Sequence, residues 1–549
     1  MKKITIVSPE FPNSGRVPLV PPILEYLAAL THKVDPGWTV ELVDANQGAV
    51  AADSLECDLV AVSVMTATAP WAYRFADNCR RRGLPVVLGG IHPTALPEEA
   101  AGHADAVVIG EAESVWQEVL GDAASGRLRR FYRGERLSLE GLPMPVDGRL
   151  KGNYRFRAFF TARGCPYRCT FCSVRKFFGD TIRYRPIPEV AAEIEARAGS
   201  IWFNGDDNIW GGDPERSIAL FEALAQGKKR RWYGFGDLQA VQGPHGDRLL
   251  AAAKKSGLFS VWLGWESDSS SALDSFKAGG KQGRDRVAAI RKIQDAGIEV
   301  VLFVMVGGRE EGFDSYRRAI RLADTLKVGI HPVLLTPLPG TELFAEYRPH
   351  LIPGLGWEAF AGVRAVFSHP DPELTPLRRE EEFHLLTEEI YRMKRVLGRV
   401  FALGAKSTAG AAFLSLMMQL PMKVAYHKAY SQWRRDFGGT EVAQAGAGRP
   451  GRLDIAARVI WLVTFLGLVG LHIAHGSDEA LQDRLEMFEM TLYGALILCG
   501  PVFLASSLVK RGRSALAGPG SAAPDWAREL LDLAGSAASG VAGFLFAFH

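Results

Sequence analysis

Three cysteines crowded into eight residues are the first groups in this chain able to do chemistry: Cys165-Pro166-Tyr167-Arg168-Cys169-Thr170-Phe171-Cys172, a C-x3-C-x2-C pattern. Thiolates are soft ligands suited to zinc or iron–sulfur clusters. A structural zinc site asks for four ligands. The chain has 6 cysteines, and the other three, Cys57, Cys79 and Cys499, are remote in sequence. So few cysteines in 549 residues do not form a disulfide framework. Three thiolates on a four-iron cluster leave one iron open, and an open metal position is where reactions occur.

The segments around the cysteines read as strands with polar ends. Phe159–Gly164 leads into the cysteine loop, and Ile201-Trp202-Phe203-Asn204 ends in Gly205-Asp206-Asp207. Trp232–Asp237, Val261–Ser267 (with Gly264-Trp265-Glu266-Ser267), Val300–Val306 and His331–Leu335 follow, the last running into Pro337-Leu338-Pro339-Gly340. The cysteine spacing and these pieces, in this order, resemble the radical S-adenosylmethionine (SAM) superfamily. The resemblance implies a partial (β/α)6 barrel and a [4Fe-4S] cluster on Cys165, Cys169 and Cys172. It implies that the open iron chelates SAM, with Phe171 near the adenine, and that Asp206, Asp207, Glu266 and Ser267 contact SAM.

From Lys3 to about Gly126, short apolar runs alternate with helical patterns. Ile4–Val7, Val40–Val43, Leu59–Ser63, Val86–Leu88 and Ala106–Ile109 read as strands, and Ile23–Leu30, Trp71–Arg81 and Glu113–Ala124 as helices. This alternation predicts an α/β fold with a parallel sheet covered on both faces, and ligands beyond the carboxyl ends of its strands. Small residues there, at Ser63, Gly89-Gly90 and Gly110-Glu111, would let a large planar ligand approach the backbone. The arrangement resembles the Rossmann-like (flavodoxin-like) cobalamin-binding domain found ahead of radical SAM domains. The Asp-x-His-x-x-Gly segment of many such domains is missing from these loops, whose histidine is His92 in Gly-Gly-Ile-His-Pro. The resemblance therefore implies cobalamin without a protein imidazole below the cobalt. Trp71, placed in the loop after Ser63, is a candidate to lie against that face. The plainer reading is a flavodoxin-like domain that binds a nucleotide or nothing, with Trp71 as core.

Beyond Phe344 the pattern turns helical and charged, and a Gly-rich segment at 437–452 reads as a linker. Ile455–Ala474 then holds twenty residues with one charge, Arg458, and Met490–Val509 twenty with none. A bilayer core of ~30 Å needs about 20 helical residues. Arg449, Arg452 and Arg458 flank the first stretch and Lys510, Arg511 and Arg513 the second, so a two-helix membrane hairpin with both ends cytoplasmic is expected. The alternative is a pair of buried helices in a soluble cap. Ala409–Leu420 is too short to span and is expected in the interface or the core. The mean hydropathy of +0.01 is raised by this end of the chain.

The expected organisation is thus a cobalamin-binding domain (1–140), a radical SAM barrel (141–345), a helical cap (346–445) and a linker with membrane hairpin (446–549). Lys+Arg 64 against Asp+Glu 61 gives +3, which offers no bulk basicity for nucleic acid. No secretory signal is read at the N-terminus, so the catalytic domains are expected in the cytoplasm, anchored to the inner membrane. The resemblance implies an enzyme that moves a methyl group from SAM, through cobalamin, to unactivated carbon, with an electron donor such as flavodoxin or ferredoxin. The hairpin suggests a hydrophobic substrate: a polyprenoid or hopanoid-like lipid, an acyl lipid or a tetrapyrrole. Two alternatives remain, a non-methylating oxidoreductase or cyclase acting on a tetrapyrrole, and a non-catalytic cobalamin or redox sensor.

Overall fold

The computed structural model describes residues 2–437, apart from 13–18, 146–149, 153, 155, 200 and 282–284. Its first sheet is six parallel strands, β1 (Lys2–Ser8), β2 (Trp38–Asp44), β3 (Leu59–Ser63), β4 (Val86–Gly89), β5 (Ala106–Ile109) and β6 (Phe131–Arg133), in the order β2-β1-β3-β4-β5-β6. Alternate side chains feed two cores. Ile4, Ile6, Leu59, Ala61, Val87 and Val108 meet Leu24 and Leu27 of helix Pro22–Val34 and Trp116 and Val119 of helix Trp116–Ala124. Val7, Val60, Val62, Leu88 and Val107 meet Ala72, Phe75, Ala76 and Cys79 of helix Ala69–Arg81. Burial on both faces explains why the strands read as unbroken apolar runs. Edge strand β6 escapes the sequence reading because Phe131-Tyr132-Arg133 has only one fully buried side chain.

The second sheet holds β7 (Arg157–Phe159), with the short antiparallel pair β8 (Ala162–Arg163) and β9 (Arg183–Tyr184) branching off beside it. It continues through β10 (Ile201–Asn204), β11 (Arg231–Gly236), β12 (Leu258–Glu266), β13 (Glu299–Val306) and β14 (Gly329–Leu334). The order β14-β13-β12-β11-β10-β7 is parallel throughout and never reverses. Right-handed crossovers that always step the same way put every connecting helix on one face. The other face is concave, as in a barrel left open. Along β13 the burial alternates, with Val300, Leu302, Val304 and Val306 buried and Val301, Phe303 and Met305 half-buried. A closed barrel fills its interior with packed side chains. Here the inward set is the more accessible one.

Charge pairs tie the two sheets together. Glu25, on the first domain's helix Pro22–Val34, is 1% exposed and receives Arg197 at 2.7 Å and Arg157 at 3.1 Å from the second. Glu193 continues the chain, bonded to Arg197 at 2.8 Å and to Arg185 at 2.7 Å. The charged C-terminal helices Pro376–Ile390 and Met393–Gly404 lead into a 29-residue helix, Ala409–Phe437. The apolar run at 409–420 is the first part of that helix. Its Ser415 and Gln419 bond the buried Glu299 at the start of β13, so this part packs into the core. Among the described residues no helix is long and apolar enough to cross a membrane. The expected hairpin, at 455–474 and 490–509, lies outside the described residues.

Removing one partner of a buried charge network leaves the others unpaired. Glu25→Ala is expected to destabilise the chain by about 3–5 kcal/mol, read as a lowered melting temperature, with Glu25→Gln falling in between.

Candidate functional site

The three cysteines sit on the loop between β8 and the helix Val174–Phe178; all are half-buried and none is in a disulfide. Backbone bonds fix the loop from outside: Thr170 N–H donates to Phe276 O at 3.0 Å, and Leu343 N–H donates to Thr170 O at 3.0 Å. Phe171 packs edge-on against Phe276 at 5.6 Å, in a cluster with Met305 and Leu335. Among the described residues no three His, Cys, Asp or Glu side chains converge on a single-ion site. A four-iron cluster engages its thiolates at three separate irons, and three half-buried, unbridged thiols on one short loop fit that demand.

The carboxylates at the end of β10 buttress this loop. Asp206, 2% exposed, accepts Thr161 N–H at 2.6 Å, Ala162 N–H at 3.0 Å and the Thr161 hydroxyl. Both of its oxygens accept hydrogen bonds from within the protein. Burial nevertheless pushes its pKa up. Asp207 accepts Gly164 N–H at 3.2 Å, one residue before Cys165, and burial pushes its carboxyl up to about 6.

At the end of β12 the backbone is strained. Glu266 has φ 62° beside a bulge in the β12–β13 register, and it is 4% exposed. A non-glycine residue in that region is uncommon and is held only where its surroundings over-determine it. The clamp is Arg286, which donates to Ser267 O at 3.0 Å and Trp265 O at 2.9 Å and stacks over the Trp265 ring at 3.2 Å. Burial pushes the guanidinium down to about 10. The Ser267 hydroxyl donates to Glu311 and accepts Ser269 N–H at 3.0 Å.

In the first domain, Ser63, Gly89, Gly90, Gly110 and Glu111 line one cavity of about 210 Å³, together with Asp207 from the second. The cavity runs between the sheet face at Ala61, Val87 and Val108 and the helix residues Ile23, Leu27 and Trp116, and reaches Arg163 beside the cysteine loop. Its walls are mostly apolar, and it has room for one flat heterocycle but not for a macrocycle. That fits a cobalamin whose nucleotide base enters the slot while the corrin stays at the strand ends.

One placement changes here, and three other residues gain protein partners. Trp71 lies on the helix Ala69–Arg81 rather than in a loop, stacked on Phe75 at 4.9 Å and packed into the core. His92 is fully buried, with ring nitrogens 3.4 Å from the Thr66 hydroxyl and 3.3 Å from Glu99, and its ring edge-on to Trp357. Neither residue lines the cavity. Gly110 (φ +85°) is required by its own backbone, since a Cβ would come 2.9 Å from Gly134 O, rather than by ligand approach. Glu111 spends its carboxylate on the second domain, on Arg163 at 2.7 Å and on Arg183.

Arg163 completes the link by pairing with Glu113 at 2.7 Å, and Tyr26 donates to Glu113 at 2.6 Å. Against burial, Arg163 holds the Glu113 carboxyl below its usual range. Arg163, Arg183, Arg286 and Glu311 had no signal in the sequence, since each partner lies tens of residues away.

Two family descriptions match this chain: "B12 binding domain" over residues 18–120 and "Radical SAM superfamily" over 159–323. The chain is a B12-binding radical SAM enzyme. Its cofactors are a [4Fe-4S] cluster, SAM and cobalamin. It is 28% identical over 407 residues to a bacteriochlorophyllide d C-12(1)-methyltransferase of Chlorobaculum tepidum, covering 70% of this chain and 86% of that one. To the bacteriochlorophyllide d C-8(2)-methyltransferase of the same organism it is 27% identical, over 68% and 86%. The solved radical SAM methyltransferase TsrM of Kitasatospora setae, with cobalamin and [4Fe-4S] cluster bound, shares the fold: TM-score 0.54, 15% identity, 78% of this chain and all of that one.

Two expectations follow from the geometry. Cys172→Ala is expected to abolish the iron and sulfide content of anaerobically reconstituted protein while leaving the melting temperature of the iron-free protein near wild type. For Asp207, a folded pKa near 6 against an ordinary 3.8 means the folded state holds a proton that the unfolded chain has lost. Its contribution to stability is present below about pH 4 and is lost as the pH rises through 6. Asp207→Asn should therefore melt above wild type at neutral pH and level with it at pH 4, measured on cofactor-free protein.

Proposed function

We propose that this enzyme transfers a methyl group from SAM, by way of cobalamin, to an unactivated carbon of a flat, hydrophobic tetrapyrrole. When bound, the cluster with SAM supplies a carbon-centred oxidant and cobalamin supplies the methyl carrier. The protein's share is to orient these groups and to wall the reaction off from water.

The observation that carries the substrate class is the concave face of the second sheet. Successive strands present Phe203, Tyr233 and Phe235, Trp262, Phe303 and His331 toward one another. Neighbouring ring centroids lie 4.7–5.7 Å apart along this path. All but Tyr233 are half-buried. Such a surface has stacking area to offer a planar ligand and few hydrogen-bonding groups for a sugar or peptide. The two Chlorobaculum relatives, named for bacteriochlorophyllide, support the same class.

Near this face the charges belong to the cofactor side. Asp207 holds the cysteine loop by its Gly164 bond, and a nearby cation, as the ammonium of SAM would be, would favour its charged form further. Arg163 sets the loop against the first domain, so the two cofactor sites are fixed relative to each other before substrate arrives. We further read the two apolar stretches at 455–474 and 490–509 as a membrane tether. Holding the catalytic domains at a bilayer raises the effective concentration of a substrate that partitions there.

The test is anaerobic turnover of reconstituted full-length protein with a bacteriochlorophyllide, a reductant and methyl-deuterated SAM. A macrocycle that has exchanged one hydrogen for a labelled methyl group is the expected product. Release of 5′-deoxyadenosine with a changed but unlabelled macrocycle would favour ring oxidation or cyclisation instead.

A further inference from the structure

The aromatic concave face carries an imidazole nitrogen that the described residues leave unused. His331 is the third residue of β14, half-buried, with its ring 4.7 Å from Phe303. Its Nδ1 lies 3.2 Å from the hydroxyl of Tyr426, which comes from the helix Ala409–Phe437 and is itself buried. Tyr426 is held from behind by the Tyr391 ring at 5.2 Å, and Tyr391 is anchored by its own hydroxyl to Ile330 O at 3.0 Å. Among the described residues nothing pairs with Nε2 of His331.

Burial pushes the His331 pKa down to about 4, so the imidazole is neutral at physiological pH. No carboxylate pairs with it, which sets it apart from His92 and His427 with their glutamate partners. One step along the same face, Trp262, 5.7 Å from Phe303, has a buried Nε1–H without a partner. Two polar atoms, one able to present a lone pair and one a proton, thus stand without a protein partner in a wall that is otherwise aromatic, and of the two the Trp262 Nε1–H is fully buried. A buried polar atom left without a partner is costly, and such exceptions concentrate where a ligand supplies the partner.

A neutral imidazole with one nitrogen held by a hydrogen bond and the other open is the usual form of a histidine metal ligand. When Nδ1 donates to the Tyr426 oxygen, Nε2 presents its lone pair to the concave side. We propose that His331 Nε2 is the axial ligand of the metal ion carried at the centre of the tetrapyrrole substrate, with Tyr426 as the positioning residue that fixes the ring. The metal is cargo of the substrate and not a cofactor of the enzyme. This assignment rests on the tetrapyrrole reading given above and goes beyond it, because it selects metal-bearing macrocycles over metal-free ones.

The test compares the zinc and metal-free forms of one chlorin, titrated anaerobically into the full chain without SAM and followed by absorption and fluorescence. Resonance Raman reports whether the zinc has gained an axial nitrogen. Wild type is expected to bind the zinc form about 10-fold or more tightly than the metal-free form and to show the ligated signature. His331→Ala should bring the two affinities together and lose the signature, with added imidazole restoring it. Tyr426→Phe should weaken only the zinc form. Equal affinities in wild type, or a ligated signature that persists in His331→Ala, would overturn the assignment and leave the tetrapyrrole reading standing. Binding of neither chlorin would overturn both. The wild-type comparison needs no variant, so a folding defect in His331→Ala does not protect the proposal.

Discussion

The structure depends on a seam of opposite charges between its two sheets. Arg163 stands two residues before Cys165, at the end of the short strand β8, and its guanidinium is claimed by Glu111 and Glu113 of the first domain. Arg183, from the strand paired with β8, takes the same Glu111 carboxylate. A cysteine loop has no regular structure of its own to set its direction. Here its first residues are fixed by a fork of charged bonds to the end of β5, where the other cofactor's domain has its ligand-facing edge. Buried ion pairs contribute little net stability, because desolvation offsets most of the attraction. What they do contribute is a heavy penalty on any arrangement that breaks them. Two cofactors that must exchange groups over short distances need that kind of restraint.

The second such network, Glu25 with Arg157, Arg197, Glu193 and Arg185, repeats the logic on the other side of the cavity. Between the two networks runs the narrow apolar slot whose walls come from both domains. A ligand lodged there touches the first sheet, its helices and the approach to the cysteine loop at once. Its binding energy is therefore also docking energy for the domains.

The architecture was legible in the sequence because its signals are local. Val60 and Ala61 point to opposite faces yet are both apolar, which is what a doubly covered strand produces, and C-x3-C-x2-C encodes a loop in eight residues. The partners of the charged residues were not legible, for the opposite reason. The oxygens of Glu111 and Asp206 meet Arg163 and Arg183, 52 and 72 residues away, and the backbone of Thr161 and Ala162, 45 and 44 residues away. A carboxylate in a strand end looks the same in sequence whichever partner it finds. Trp71 was misplaced in a loop for a similar reason: its spacing from Phe75 is one helical turn, and the pair stacks along the helix against the core.

The concave face raises a different point, because its residues are apolar and its exposure is the anomaly. Phe303 and Met305 on β13, and His331 and Val333 on β14, remain more accessible than the buried residues that alternate with them. Hydrophobic burial alone would close this barrel, since each uncovered ring forgoes about 25 cal/mol per Å² of apolar surface. Helix Ala409–Phe437 instead packs on helices Pro376–Ile390 and Met393–Gly404 and brings Tyr426 to His331 on the edge strand β14. A helix that delivers one hydroxyl to one imidazole, and leaves the adjoining aromatic wall uncovered, covers the protein's own edge while keeping room for something flat. The same aromatic wall suits the chemistry, for a carbon-centred oxidant is quenched by exchangeable or weakly bonded hydrogens, and aromatic C–H bonds are poor donors of them.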